Sequence, residues 1–227
     1  HKAFLITGGG SMHLNDAIAR NKKIEHHFMH HEQSLSMAAE GYSRLTNKPA
    51  LVNVTTGPGV INSLNGVYGA FVDSMPMFVI SGQVRTETIA RLHDKKLRQL
   101  GDQEVDTYSM VKPVVKYYAL ISKPEEVKTA LSNCIYHLKK GRPGPVWLDV
   151  PIDIQSKNIT NEKKIISYPR LKKNLLLDYT HENQKKIDIS YDHLEKEINF
   201  ILNCIKNCKR PILLIGSGVR ILSQVDG

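Results

Sequence analysis

The chain has 227 residues, 41% of them hydrophobic and 23% charged, which is ordinary for a globular protein and excludes disordered, collagen-like and membrane-spanning classes. No apolar run approaches the roughly 18 residues that a bilayer crossing needs. The net charge of +9 is spread out, with 18 basic and 14 acidic side chains in residues 1–156 and 12 and 7 in residues 157–210, so no nucleic-acid face or motif stands out.

The length fits one full domain and part of another. An apolar opening, Ala3-Phe4-Leu5-Ile6, does not read as a signal peptide. A chain that begins on His1 and stops at Gly227 reads as a piece of a longer polypeptide. Three irregularly placed cysteines, Cys134, Cys204 and Cys208, point to a reduced, cytoplasmic protein. Cys204 and Cys208 lie one helical turn apart without a second ligand pair, so they are expected to pack rather than hold metal.

Ala3–Thr7 is predicted as a strand running into Gly8-Gly9-Gly10-Ser11 and a helix over Met12–Arg20. Three glycines let backbone approach a ligand at a helix start, where N–H groups are free; a plain strand-to-helix turn is the alternative. The run is neither G-x-G-x-x-G nor a P-loop. Ile24–Met29 is a second strand that contains His26 and His27, with His30 and His31 just beyond it. Neighbouring strand side chains point to opposite faces, so these histidines read as surface or interface residues rather than a metal set.

A helix from Glu32 to Leu45 follows, rich in small residues (Ser34, Ser36, Ala38, Ala39, Gly41) that permit close packing on another helix. Glu32 opens it. By itself such a carboxylate simply suits the helix dipole; the alternative is a carboxyl stripped of water that shares a proton with a basic ring nitrogen. Ala50–Thr55 is an apolar strand ending in the elbow Thr55-Thr56-Gly57-Pro58-Gly59, with Asn62 beyond it and a helix over Gly59–Val72. Pro58 removes an N–H donor, so the elbow suits a flat ring better than a phosphate.

Met77–Ser81 is the next strand, leading to Ser81-Gly82-Gln83. Val114–Leu120 is a strand or an extended connector. Lys123–Lys140 is a helix with proline near its start, and Pro145–Val150 closes the unit. Residues 1–155 therefore form one domain, 156–190 a polar linker, and 191–227 the start of a second domain. That last part holds a helix near Tyr191–Cys208 and a strand over Pro211–Gly216.

The β-α alternation, with strands apolar on both faces, predicts an α/β fold: a parallel sheet flanked by helices. In such sheets ligands bind beyond the carboxyl ends of the strands. The glycine run, His31-Glu32-Gln33, Thr56-Gly57-Pro58-Gly59 and Ser81-Gly82-Gln83 all fall on that rim. No G-x-S-x-G is present for acyl transfer.

In order along residues 3–155, several segments resemble the N-terminal, pyrimidine-binding domain of the acetolactate synthase branch of thiamine-diphosphate enzymes. They are His31-Glu32-Gln33, Ala38-Ala39-Glu40-Gly41-Tyr42-Ser43-Arg44, Thr55-Thr56-Gly57-Pro58-Gly59 with Asn62, Asp73-Ser74-Met75-Pro76 and Ser81-Gly82-Gln83-Val84. Gln103-Glu104-Val105-Asp106, Lys112-Pro113-Val114-Val115-Lys116 and Gly141-Arg142-Pro143-Gly144-Pro145-Val146 through Asp149-Val150-Pro151 complete the set. Arg210-Pro211 and Gly216-Ser217-Gly218-Val219 resemble the start of the family's central domain.

The resemblance implies a transferase using thiamine diphosphate. It would release CO₂ from a 2-oxo acid such as pyruvate and pass the acyl unit to a second carbonyl. The glutamate matching Glu32 would hydrogen-bond N1′ of the aminopyrimidine; Thr55, Pro58 and Asn62 would line its pocket. Gln103, with Gly9 and Gly10 of the first loop, would face the reacting carbon. The diphosphate and Mg²⁺ would bind a C-terminal domain of a partner subunit, implying a homodimer or homotetramer with a shared site. No metal ligand is therefore expected in this chain. FAD is also held by many of these enzymes, partly through a glycine loop matched by Gly216–Gly218.

Four departures sit on the acceptor side. Asp102 replaces the usual Phe before Gln103, the segment from Gln83 to Gln103 is longer and carries Arg91, Lys95, Lys96 and Arg98, Arg85 follows Val84 where Pro is common, and the first loop reads Thr7-Gly8-Gly9-Gly10. The first-loop form, with Met12-His13-Leu14-Asn15-Asp16 after it, resembles relatives that add a two-carbon unit to a nucleotide-linked keto sugar in surface polysaccharide biosynthesis, whose phosphates the basic side chains would meet. A relative that binds the cofactor without catalysis is the third reading.

Overall fold

A computed structural model describes residues 1–93, 96–159, 178–180, 191–212, 214–216 and 218–219. The chain divides into two compact units, His1–His181 and Glu182–Gly227.

In the first unit the elements run β1 (Lys2–Leu5), α1 (Met12–Arg20), β2 (Glu25–Phe28), α2 (Glu32–Thr46), β3 (Ala50–Val54), α3 (Pro58–Val72) and β4 (Met77–Gln83). They continue as α4 (Thr107–Val111), β5 (Tyr117–Leu120), α5 (Val127–Lys139), β6 (Pro145–Pro151), α6 (Ile152–Gln155) and β7 (Asp178–Thr180). The strands form one sheet in the order β2-β1-β3-β4-β6-β5-β7. The first six are parallel and β7 pairs antiparallel with β5.

Strand and helix assignments from periodicity match these elements, with Val114–Leu120 resolved as a strand that begins at Tyr117. β7 falls inside the stretch read as a linker, the rest of which lies largely outside the described residues. In the second unit, α7 (Tyr191–Asn207) forms as expected. The strand expected over Pro211–Gly216 does not: residues 211, 212 and 214–216 belong to no strand, and among the described residues no neighbouring strand supplies a ladder there. Cys204 and Cys208, expected to pack, are exposed; no strand forms in this unit among the described residues to cover the helix.

Helices α2 and α3 cover one face of the sheet, where Leu35, Ala39, Val60 and Val67 pack on Val52, Val54, Val79 and Trp147. Helix α5 covers the other, with Ala130, Cys134 and Leu138 against Tyr117, Ala119, Val146 and Leu148. Both faces of the central strands are thus buried, which explains their largely apolar sequences.

The small residues of α2 do what their size permits. A Cβ at Gly66 of α3 would lie 2.3 Å from the Ser36 carbonyl carbon, so backbone meets backbone there. Helix α2 ends on Asn47 in the left-handed region (φ 56°), a common stop for a helix. The buried Ser43 hydroxyl donates to the Pro76 carbonyl (2.9 Å), and Arg44 bridges Glu40 and Asp73. Arg142 donates to the Val72 carbonyl at 2.7 Å, closing the end of α3.

The strand order reverses between β1 and β3. From β1 the chain crosses to β2 on one side, and from β3 to β4 on the other. In α/β sheets the carboxyl ends of the strands at such a reversal are where ligands bind.

Candidate functional site

Two loops meet at that reversal. The glycine run after β1 forms a single 3₁₀ turn over Gly9–Ser11, and the Gly10 N–H donates to the Thr55 hydroxyl at 3.0 Å. A Cβ at Gly8 would lie 2.4 Å from the Thr55 Cβ, and one at Gly82 would lie 2.0 Å from the Gly10 carbonyl oxygen. Here the glycines are needed for close approach of three strand ends. The Gln155 side-chain amide adds a further hold, donating to the carbonyls of Gly10 and Val150 at 2.7 Å each.

The elbow after β3 turns on Gly57, whose φ of +62° suits glycine. Pro58 then begins α3 at a position where its missing N–H costs nothing. One turn on, Asn62 faces α2.

Glu32 is the first residue of α2, capped by His31, whose Nδ1 accepts from the Gln33 N–H at 3.2 Å. Its half-buried carboxylate accepts from Asn62 Nδ2 through Oε2 at 3.0 Å. The other oxygen, Oε1, has no hydrogen-bond partner among the described residues and lies 3.6 Å from where a Gly59 Cβ would sit. Glu32, Thr55, Gly59 and Asn62 are therefore neighbours, although 30 residues separate Glu32 from Asn62. His26, His30 and His31 are exposed and His27 half-buried. Among the described residues no group of three His, Cys, Asp or Glu side chains could hold a metal ion.

Gln103 stands over the elbow. Its backbone is in the left-handed region (φ 55°), and its carbonyl oxygen lies 2.3 Å from where a Gly57 Cβ would be. Gln103 and Asp102 are both exposed. Glu104 organises the long segment before them: it accepts from the N–H groups of Ala90 (2.7 Å), Leu100 (2.7 Å) and Gly101 (3.1 Å). Arg91, expected to be available to a phosphate, is engaged instead by Asp106 at 3.0 Å and by the Tyr108 ring at 3.9 Å. Lys96 and Arg98 are exposed, and Lys95 lies outside the described residues.

A buried polar network beneath the rim went unread in the sequence. Asp149, fully buried on β6, accepts from the Ser81 hydroxyl (2.7 Å), Gln83 Nε2 (3.0 Å) and the Tyr118 hydroxyl (3.3 Å). Burial pushes its carboxyl up to about 6, against those hydrogen bonds, which pull it down. One signal was available: an aspartate inside the apolar run Val146-Trp147-Leu148-Asp149-Val150 requires partners once that strand is central.

Residues 1–110 match the family described as thiamine pyrophosphate enzyme, N-terminal TPP binding domain. The chain is 31% identical to an acetolactate synthase large subunit of Lactococcus lactis over 98% of this chain and 35% of that protein. It is 33% identical to that of Haemophilus influenzae over 95% of this chain and 34% of that protein. The chain thus spans about a third of the length of these relatives. Its fold is similar to that of benzoylformate decarboxylase from Polynucleobacter necessarius, with a TM-score of 0.62 at 23% identity over 75% of this chain and 30% of that one.

Proposed function

This chain carries the N-terminal TPP-binding domain of the thiamine pyrophosphate enzymes and is acetolactate synthase-like along nearly its whole length, and from that premise we propose that the complete protein is a carboligase of the acetolactate synthase type. It would take CO₂ from a 2-oxo acid, pyruvate being the simplest, and pass the acyl unit to a second carbonyl. The observation that carries the reading is the Glu32 carboxylate, held through Oε2 by Asn62 with Oε1 left open beside Gly59.

These residues fit the aminopyrimidine half of thiamine diphosphate. Oε1 of Glu32 would share a proton with ring nitrogen N1′ of the bound cofactor, and the hydrogen bond from Asn62 to Oε2 would keep the carboxyl from turning away. Pro58 and the side-chain-free Gly57 and Gly59 offer a wall to a flat ring, with Thr55 at its edge. Gly9 and Gly10, the latter pinned by Thr55 and Gln155, bring backbone to the rim. Gln103 and Asp102 take the acceptor side. When bound, the cofactor supplies the electron sink for cleavage and formation of the carbon–carbon bond. Mg²⁺ and the diphosphate would be held by residues outside this chain, in a homodimer or homotetramer that shares its sites, and FAD would meet the stretch Gly216–Gly218.

A second acceptor, a nucleotide-linked keto sugar, is favoured by exposed Asp102 beside Gln103 and by exposed Lys96 and Arg98 on the preceding segment. A polar acceptor suits that side better than a second small keto acid.

The test uses the full-length protein with thiamine diphosphate, Mg²⁺ and pyruvate. Glu32→Gln should lower kcat at least about 100-fold while leaving circular dichroism unchanged, the loss of a positioned proton-transfer group; normal turnover in that variant rejects the mechanism. Acetolactate formed rapidly from pyruvate alone supports the synthase. Product formed only with a keto-sugar acceptor supports the second reading, and cofactor uptake without CO₂ release supports a non-catalytic relative.

A further inference from the structure

We propose that Gln83 is a positioning residue that ties together the two walls of the site, the elbow at Thr55–Gly59 and the segment Gln103–Thr107, and that Asp149 is the buried anchor holding its amide in one orientation. Gln83 ends β4 and is only 2% exposed. Its Oε1 accepts from the Thr56 hydroxyl at 2.7 Å and from the Val84 N–H at 2.9 Å. Its Nε2 donates to Asp149 Oδ2 at 3.0 Å, and to the Val105 carbonyl and the Thr107 hydroxyl at 3.3 Å each. One side chain thus holds an elbow residue with its oxygen and the facing segment with its nitrogen.

The orientation is determined by groups that cannot change roles. A backbone N–H only donates, so Val84 requires the amide oxygen on its side. A backbone carbonyl only accepts, so Val105 requires the nitrogen. The Asp149 carboxylate reinforces that choice and is itself fixed by Ser81, which accepts from the Trp147 indole at 2.7 Å, and by Tyr118. The network runs from the middle of the sheet to the rim, and its side chains Trp147, Ser81, Asp149, Tyr118, Gln83, Thr56 and Thr107 are buried, where hydrogen bonds are strong and a lost partner is not readily replaced by water. Above it the walls also touch, since the Gln103 carbonyl fills the space a Gly57 side chain would need. A displacement of either wall must be taken up by the other.

The functional consequence rests on the reading of these walls as facing cofactor and acceptor; the coupling itself does not. Hydrogen–deuterium exchange on the full-length protein, with thiamine diphosphate affinity measured by calorimetry, tests both. Thr56→Val removes one hydroxyl on the elbow and keeps the shape. It should speed exchange not only at Gly59 and Ile61 but also at Glu104 and Thr107 on the far wall, by about tenfold, with β1 unchanged. Thr56→Ser should restore both walls, and Gln83→Met should loosen both together. Loosening confined to the elbow in Thr56→Val overturns the proposal, whether or not Gln83→Met folds. Weaker cofactor binding in Thr56→Val, restored in Thr56→Ser, supports the functional consequence. A wild-type protein that takes up no thiamine diphosphate overturns the functional reading, while the exchange pattern still decides the coupling.

Discussion

At the scale of single residues, two carboxyls show how environment assigns a role. Glu32 stands at the rim with one oxygen engaged and one open, so its chemistry is directed outward. Asp149 has every described contact turned inward and is fully buried, so its charge is a cost to the fold. Its folded pKa, about 6, lies above the ordinary 3.8, so the folded state holds the proton more tightly than the unfolded chain. Stability from this group is full below about pH 4 and is lost as pH rises through 6, a difference on the order of 3 kcal/mol. Subtracting the melting profile of Asp149→Asn from that of the wild type should therefore leave a curve that falls between pH 4 and 6; a flat difference shows that Asp149 titrates normally. Gly57 makes a second prediction. Gly57→Ala meets both a positive φ and the Gln103 carbonyl, and should cost about 1–3 kcal/mol in urea unfolding.

At the scale of elements, the pair α2 and α3 sets the separation on which the Glu32–Asn62 hydrogen bond depends. Each residue sits near the start of its own helix, and the helices touch backbone to backbone at Gly66 and Ser36. Gly66→Ala has no room for its methyl group, since two packed helices would have to part. It should destabilise the protein by about 1–3 kcal/mol and weaken thiamine diphosphate binding without altering any residue at the rim. Thermal melting and calorimetry on the same sample check both parts, and unchanged cofactor affinity would show that the helix spacing is not transmitted to Glu32. The segment before Gln103 behaves differently. Its described residues form turns, and the Glu104 carboxylate holds three of their backbone N–H groups, with Thr86 held by Asp153 at 3.0 Å. Glu104→Gln removes charge-assisted acceptors there and should raise exchange in residues 86–101 by more than in the sheet.

At the scale of the whole molecule, the single tryptophan is a built-in reporter. Trp147 lies fully buried on β6, between β4 and β5, with its indole donating to Ser81. Native emission should be blue-shifted, and its red shift should track unfolding of the unit His1–His181 while remaining silent to loss of α7. Fluorescence and far-ultraviolet dichroism followed through the same urea titration check this; coincident curves would mean that the two units unfold together. The apolar positions of α7, among them Leu194, Ile198, Ile201 and Ile205, are exposed. Among the described residues no helix is long and apolar enough to cross a membrane.

Much of this was legible in the sequence because it is local. Apolar runs of strand length, Pro58 after Gly57, and the small residues of α2 each declare an element through sterics and solvation within a few positions, and the strand-end loops followed from the β-α alternation. The individual turns between β4 and β5, the antiparallel β7 and the absence of a strand over Pro211–Gly216 among the described residues were not legible, because pairing depends on which strand lies alongside. The same holds for the site. Glu32 alone reads first as a helix-start carboxylate. Only the packing of α2 on α3 brings Asn62 to one oxygen and leaves the other open. Gln83 and Asp149, 66 residues apart, become partners only because β4 and β6 are neighbours in the sheet. Sequence by itself determined which segments would be strands, helices and rim loops, through short-range forces. The tertiary structure alone decided which side chains meet, because sheet order, and not distance along the chain, determines what a buried polar group can find.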